Sequence, residues 1–76
     1  MQLERKKEKN NTEAWYENGL VNEKLNHTDI AKISYEKAIK IDPKNTDALF
    51  KIAIIMNSEG NLSKVESIKL KLIELN

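Results

Sequence analysis

The sequence predicts an all-α fold: two antiparallel helix-turn-helix hairpins, four helices in all, stacked as a short α-solenoid. Three observations lead there. The first is an internal echo. Thr12-Glu13-Ala14-Trp15-Tyr16 returns 34 residues later as Thr46-Asp47-Ala48-Leu49-Phe50, with hydroxyl, acid, alanine, large apolar and aromatic kept in order. The match runs on through Gly19/Ala53, Leu20/Ile54, Val21/Ile55, Ala31/Val65, Lys37/Lys71, Ile39/Ile73, Ile41/Leu75 and Asp42/Asn76. A fixed period of this length marks stacked units, none of which can bury its apolar face alone. The second observation is helical spacing of the apolar residues, with no strand-like alternation anywhere. The third is punctuation: Asn26-His27, Asp42-Pro43 and Gly60 divide the repeating region into four segments of ordinary helix length.

The first helix is expected over Thr12–Leu25, with Thr12 as N-cap and Glu13 suited to the helix dipole. Trp15, Asn18, Gly19 and Asn22 share one face; Tyr16, Leu20, Glu23 and Lys24 share the next. Asn26-His27-Thr28-Asp29 reads as a turn, with Thr28 or Asp29 capping the second helix, about Asp29–Ile41. Its inner stripe is Ala31, Tyr35 and Ala38, flanked by Ile30, Ile33, Ile39 and Ile41. Pro43 ends it, because proline disfavours helical geometry at the residue before it and has no amide hydrogen. The third helix is expected over Thr46–Ser58, capped by Thr46, with Gly60 as a left-handed stop. The fourth is expected over Ser63–Leu75, opened by a Ser63-Lys64-Val65-Glu66 capping box and lined inside by Leu62, Val65, Ile68, Leu72 and Leu75.

Residues 1–11 stand outside the echo as a polar N-terminal tail or helix extension, ahead of a first unit at 12–45 and a second at 46–76, incomplete at its C-terminus. Seventy-six residues hold one small domain. With 13 basic and 12 acidic side chains the formal charge is +1, which argues against a dedicated nucleic-acid or anionic-membrane partner. The longest apolar run, Ile52–Met56, is far short of a membrane span. No apolar stretch follows the first basic residues, so no secretory signal is read. The chain has no cysteine, which removes disulfide and thiolate-metal chemistry and fits a cytoplasmic location.

Ala14-Trp15-Tyr16, Gly19, Ala31, Tyr35, Ala38 and Asp42-Pro43 stand at the spacings of a tetratricopeptide repeat, and the chain resembles that family over residues 12–76. The second unit matches more loosely through Leu49, Ile52, Ala53, Gly60, Val65 and Leu72. The resemblance implies a right-handed solenoid in which Gly19, Ala31, Ala38 and Ala53 let antiparallel helices approach while Trp15, Tyr35 and Leu49 fill the gaps as core residues. The chain departs from the pattern at Asn18 and Asn22, where the family prefers an apolar and an aromatic residue. Asn26 replaces the interhelix glycine, which asparagine can do because it tolerates left-handed backbone. Lys69 stands in the place of Tyr35, and Leu72 replaces a small residue, so the fourth helix should sit further from its partner.

What the resemblance implies about function is a protein–protein interaction module. Partners of such modules lie in a concave groove lined by the first helix of each hairpin. By register that groove holds Glu13, Tyr16, Glu17, Leu20, Glu23 and Lys24, then Asp47, Phe50, Lys51, Ile54 and Asn57. Tyr16, Leu20, Phe50 and Ile54 would form an apolar-aromatic strip with an acidic rim, suited to an apolar protein or peptide segment carrying Lys or Arg. Some family members grip a C-terminal carboxylate with Lys and Asn at the places of Tyr16 and Leu20, so no such clamp is expected here. An alternative is a self-assembling repeat protein, possible as an excerpt or an engineered chain. Leu70 and Ile73, on the outer face of the last helix, would meet a next unit, and two units are fewer than the three usually needed for stability. A dimer or higher homo-oligomer is therefore expected.

Other signals are weak. His27 is the one histidine and lies in a turn, without partners for metal or general-base chemistry. Arg5-Lys6-Lys7 is diluted by Glu4 and Glu8 and reads as a solvated tail. No phosphate loop can be built around Gly19 and Gly60 alone. No enzyme, cofactor or metal site is read, and neither a nucleic-acid nor a membrane partner.

Overall fold

The computed structural model describes residues 11–75. The expected N-terminal tail, its basic run and Asn76 lie outside them, apart from Asn11. Among the described residues four helices follow one another: α1 (Asn11–Lys24), α2 (Thr28–Ile41), α3 (Thr46–Ser58) and α4 (Leu62–Leu75). α1 packs on α2, α3 on α4, and α2 on α3, so two hairpins are joined through their middle helices, and α3–α4 packing is less extensive than α1–α2. The all-α expectation stands.

The helix starts differ from the expected caps, each for a local reason. Thr12 is not an N-cap. It lies inside α1, buried, with its hydroxyl used elsewhere. α3 is capped not by Thr46 but by Asn45, whose side-chain oxygen accepts from the Ala48 amide at 3.1 Å. At α2 the residue before the helix is His27, which makes no side-chain capping bond. Neither Thr28 nor Asp29 caps it. α4 begins one residue before the expected capping box, at Leu62, and Asn61 takes the cap position with a long 3.4 Å contact from the Lys64 amide to its side-chain oxygen.

The two interhelix turns share one geometry. The His27 amide donates to the Asn22 carbonyl (2.8 Å) across Asn26 at φ 63°, and the Asn61 amide donates to the Met56 carbonyl (2.9 Å) across Gly60 at φ 80°. This is the left-handed Schellman stop, which glycine enters freely and asparagine more readily than other side chains. Both expected left-handed positions are therefore found. That stop sets the starts of α2 and α4 at the second residue after the left-handed one, which moves both caps to His27 and Asn61.

The core is small. Ala31, Tyr35, Ile52, Ile55 and Met56 form its centre, with Tyr16, Leu20, Ile39, Val65 and Ile68 packed around it, half-buried. Ala38, Ala48 and Leu49 are buried as well. Tyr35 is fully enclosed, and it stands directly over Gly19. A Cβ at Gly19 would run into the Tyr35 ring, with Cε1 nearest, Cδ1 at 2.7 Å and Cζ at 2.8 Å. Gly19 is thus the gap that Tyr35 fills, which is how α1 and α2 approach each other.

Two expected core positions shift. Trp15 is half-buried, with the Lys37 ammonium 5.3 Å from its ring centroid, a cation–π contact on the surface. Its echo Leu49 is buried because α3 has α2 on one side and α4 on the other, while α1 packs chiefly on α2. Leu62 is exposed rather than part of the inner stripe of α4. α4 has no fully buried residue.

Candidate functional site

The expected groove residues fall into three groups. Tyr16 and Leu20 of α1 lean into the core. The Tyr16 ring sits 5.7 Å from that of Tyr35, tilted by 43°, an arrangement that favours aromatic pairs. Part of each side chain therefore stabilises the fold and part faces outward. Phe50 and Ile54 of α3, one turn apart, are exposed at 58% and 48%. They are the accessible half of the apolar strip.

The second group is charged. Glu23 receives the Tyr35 hydroxyl at 2.5 Å and pairs with the Lys51 ammonium at 3.4 Å, which links α1, α2 and α3 at one carboxylate. Burial, reinforced by the Glu23 hydrogen bond and charge, pushes the Tyr35 phenol well above its ordinary pKa, so it stays a neutral donor. Glu23 and Lys51 are thereby held in the seam between the hairpins.

The third group lies at the opening of the seam. Glu13, Tyr16 and Asp47 share a recess of about 240 Å³ with Thr12, Asp42, Lys44, Asn45 and Thr46. Three carboxylates and one lysine border it. Glu17 and Asn57 are exposed and take no part in it. Leu70 and Ile73, expected on an assembly face, are exposed at 61% and 68%.

Beneath the recess is a hydrogen-bonded joint that the sequence reading missed. The Asn45 amide donates to the Thr12 hydroxyl (2.8 Å), which donates to the Ala38 carbonyl (2.7 Å). Ala38 also accepts from the Asp42 amide at 2.9 Å. One asparagine thus caps α3 with its oxygen and ties it to α1 and α2 with its nitrogen. The signal was present: Asn45-Thr46 repeats Asn11-Thr12 at the 34-residue period. A second polar rung, Asn18 to the buried Ser34 hydroxyl (2.7 Å), explains one departure from the family pattern. Asn22 bonds the Asn18 carbonyl at 2.8 Å. Lys32 and Glu59 pair at 2.9 Å across α2 and the end of α3, and this hydrogen bond raises the Lys32 pKa.

Among the described residues no group of three or more His, Cys, Asp or Glu is placed to hold a metal, and no helix is long and apolar enough to cross a membrane.

A pair of packed helical hairpins, with Gly19 at the first crossing and a left-handed stop in each turn, defines a helical-repeat scaffold. Comparison with known families makes this specific. The family described as tetratricopeptide repeat matches residues 12–45, and a second sequence model of the same description matches residues 34–66. The chain belongs to the tetratricopeptide repeat family, with two repeats. The second match spans the α2–α3 junction, where the Asn45 joint lies. No curated protein and no solved structure matches the chain. Tetratricopeptide repeats generally mediate protein–protein interaction and form a scaffold rather than an enzyme class.

Proposed function

We propose that the concave face of α1 and α3 binds an apolar segment of a protein partner that carries Lys or Arg. The observation that carries this is the exposed pair Phe50 and Ile54 on α3, whose register counterparts Tyr16 and Leu20 on α1 are half-buried. Two large apolar side chains one turn apart, in register with two more, offer the anchors an amphipathic helix uses. The carboxylates of Asp42 and Asp47 at the recess favour a cation at one end of that segment. Glu23 and Lys51 neutralise each other in the seam, so they would shape the floor rather than attract charge. Tyr16 and Leu20 stand where a carboxylate clamp would need cationic and amide side chains, and the reading has no such clamp. The near-neutral charge supports neither nucleic acid nor a membrane as partner, and the lack of cysteine supports a cytoplasmic setting. On this reading the units are residues 12–45 and 46–76.

The test is selection from a phage-displayed library of random peptides on the immobilised chain. Apolar peptides bearing Lys or Arg should be enriched, and their binding should be lost on Phe50→Glu. Enrichment of acidic peptides, or binding indifferent to Phe50→Glu, would refute the assignment.

A further inference from the structure

Asn18-Gly19 is the one Asn-Gly pair in the chain, and each half answers a separate demand of the first hairpin. Gly19 leaves the space that the Tyr35 ring fills, where a Cβ would stand 2.7 Å from Cδ1. Asn18 donates its side-chain amide to the buried Ser34 hydroxyl at 2.7 Å. Neither demand concerns reactivity, yet together they set up a reactive pair. The Asn18 side-chain carbon is an electrophile for the backbone nitrogen of the next residue. Glycine, with no Cβ and the widest choice of backbone angles, obstructs that approach least.

The reaction is a loss of ammonia followed by a gain of water. The Gly19 nitrogen bonds to Asn18 Cγ and gives up its proton, the Cγ–Nδ2 bond breaks, and ammonia leaves. Water then opens the five-membered imide. Breaking the new bond at Cγ leaves aspartate. Breaking the bond at the main-chain carbonyl leaves isoaspartate, whose backbone runs through the side chain and is longer by one methylene.

The fold forbids the first bond. Both residues lie inside α1, where the Gly19 amide is turned along the axis toward the Trp15 carbonyl and away from Asn18 Cγ. The Asn18 carbonyl accepts from the Asn22 side chain at 2.8 Å, and the Asn18 amide nitrogen is engaged with Ser34. Asn18 is exposed, so water reaches it. The protection is therefore conformational and lasts only while α1 is helical and seated on α2.

We propose that Asn18-Gly19 is a self-modification site that the folded first hairpin keeps silent and its opening releases, and that isoaspartate at position 18 prevents the opened hairpin from closing. The added methylene moves Gly19 out of register with Tyr35, so the space the ring needs is no longer beneath it. Aspartate keeps the backbone unchanged, and its carboxylate can accept from the Ser34 hydroxyl. The two products of one imide thus have opposite consequences for the fold. The site lies between α1 and α2 and uses neither Phe50 nor Ile54, so it stands or falls independently of the groove.

Peptide mapping by mass spectrometry, with the converted residue located by fragmentation, reads the rate at neutral pH in the folded chain and in guanidinium chloride. Conversion at Asn18 should be at least about a hundredfold slower in the folded chain, the open fraction expected of a domain this small. Asn45→Ala removes the cap of α3 and the tie to Thr12, far along the chain from the reacting atoms. It should raise the folded-state rate by about thirtyfold without changing the rate in denaturant. If that variant does not fold, Asn45→Asp supplies a milder step and should quicken conversion by less. Equal rates with and without denaturant would overturn the shielding, and a folded-state rate indifferent to both Asn45 variants would overturn its dependence on opening. The two products, separated by chromatography, test the consequence. The aspartate form should regain the helical circular dichroism of the parent chain and the isoaspartate form should not. An isoaspartate form that refolds with the parent's unfolding midpoint would overturn that half of the proposal.

Discussion

Replacing Gly19 by alanine tests the packing that sets the first hairpin. Two effects oppose each other. Inside a helix alanine is favoured over glycine by about 1 kcal/mol, so on an open helix face the change would stabilise the chain. Here the new Cβ would meet three Tyr35 ring atoms, two of them at 2.7 and 2.8 Å. The ring has nowhere to go: Tyr35 is 0% exposed, its hydroxyl is held by Glu23, and Tyr16 stacks beside it. Overpacking of this kind costs about 1–3 kcal/mol, and a ring enclosed on all sides belongs at the upper end. Subtracting the propensity gain leaves a net loss of roughly 2 kcal/mol. A domain of this size has roughly 3–5 kcal/mol in total, so about half of it would go. The midpoint of thermal unfolding, followed by far-UV circular dichroism, should fall by about 10 °C or more. Repeating the substitution in a Tyr35→Leu background, with sucrose added to keep the chain folded, should shrink the penalty, because the obstructing ring is gone. An unchanged or raised midpoint for Gly19→Ala would refute the claim that α1 and α2 meet through this gap.

Three further outcomes follow from the same contacts. Asn45→Asp keeps the capping oxygen but loses the donation to Thr12, whereas Asn45→Ala loses both; urea unfolding should rank stability wild type, then Asp, then Ala, with Ala down by about 2 kcal/mol, and equal losses would contradict the joint. The Tyr35 phenol and the Lys32 ammonium both have raised pKa values, so the stability they contribute is intact below their ordinary values of 10.0 and 10.5 and declines as the pH rises above them. Stability should therefore drop above about pH 10, and Tyr35→Phe should flatten that drop; an equally steep drop in the variant would assign it to other groups. An acidic C-terminal peptide titrated calorimetrically should show no saturation in the range of micromolar affinity, and saturation there would restore the carboxylate clamp that Tyr16 and Leu20 argue against.

Element existence was readable because the period and the punctuation agreed with each other. Pro43, Gly60 and Asn26 each act on their own backbone, so one residue sufficed to place each stop. The starts were harder. A threonine before an apolar run is a good capping residue in isolation, but Thr12 is recruited by Asn45 and Ala38, partners that lie far along the chain. Local preference lost to a tertiary contact, which a scan of neighbours cannot detect. Trp15 shows the same limit from the apolar side. Its type marks it for burial, yet burial depends on how many helices surround α1, and it ends half-exposed beneath Lys37.

The groove was legible as a register and not as a surface. Equal spacing put Tyr16, Leu20, Phe50 and Ile54 on one strip, and the four nonetheless divide into two half-buried and two exposed. The division follows from Gly19. With no side chain there, Tyr35 comes up against α1 and draws Tyr16 toward its ring. The second unit has Ala53 and Lys69 at those places, no ring to receive Phe50, and so leaves it in solvent. The looser second repeat is therefore the one that exposes the proposed binding surface, because the substitutions that thin its core are the ones that release its aromatic residue. Restoring an aromatic at Lys69 by Lys69→Tyr, with Ala53→Gly to make room, should bury Phe50 and strengthen α3–α4 packing. A higher unfolding midpoint together with weaker peptide binding is the expected joint result. A gain in stability that leaves binding untouched would show that Phe50 is exposed for some other reason.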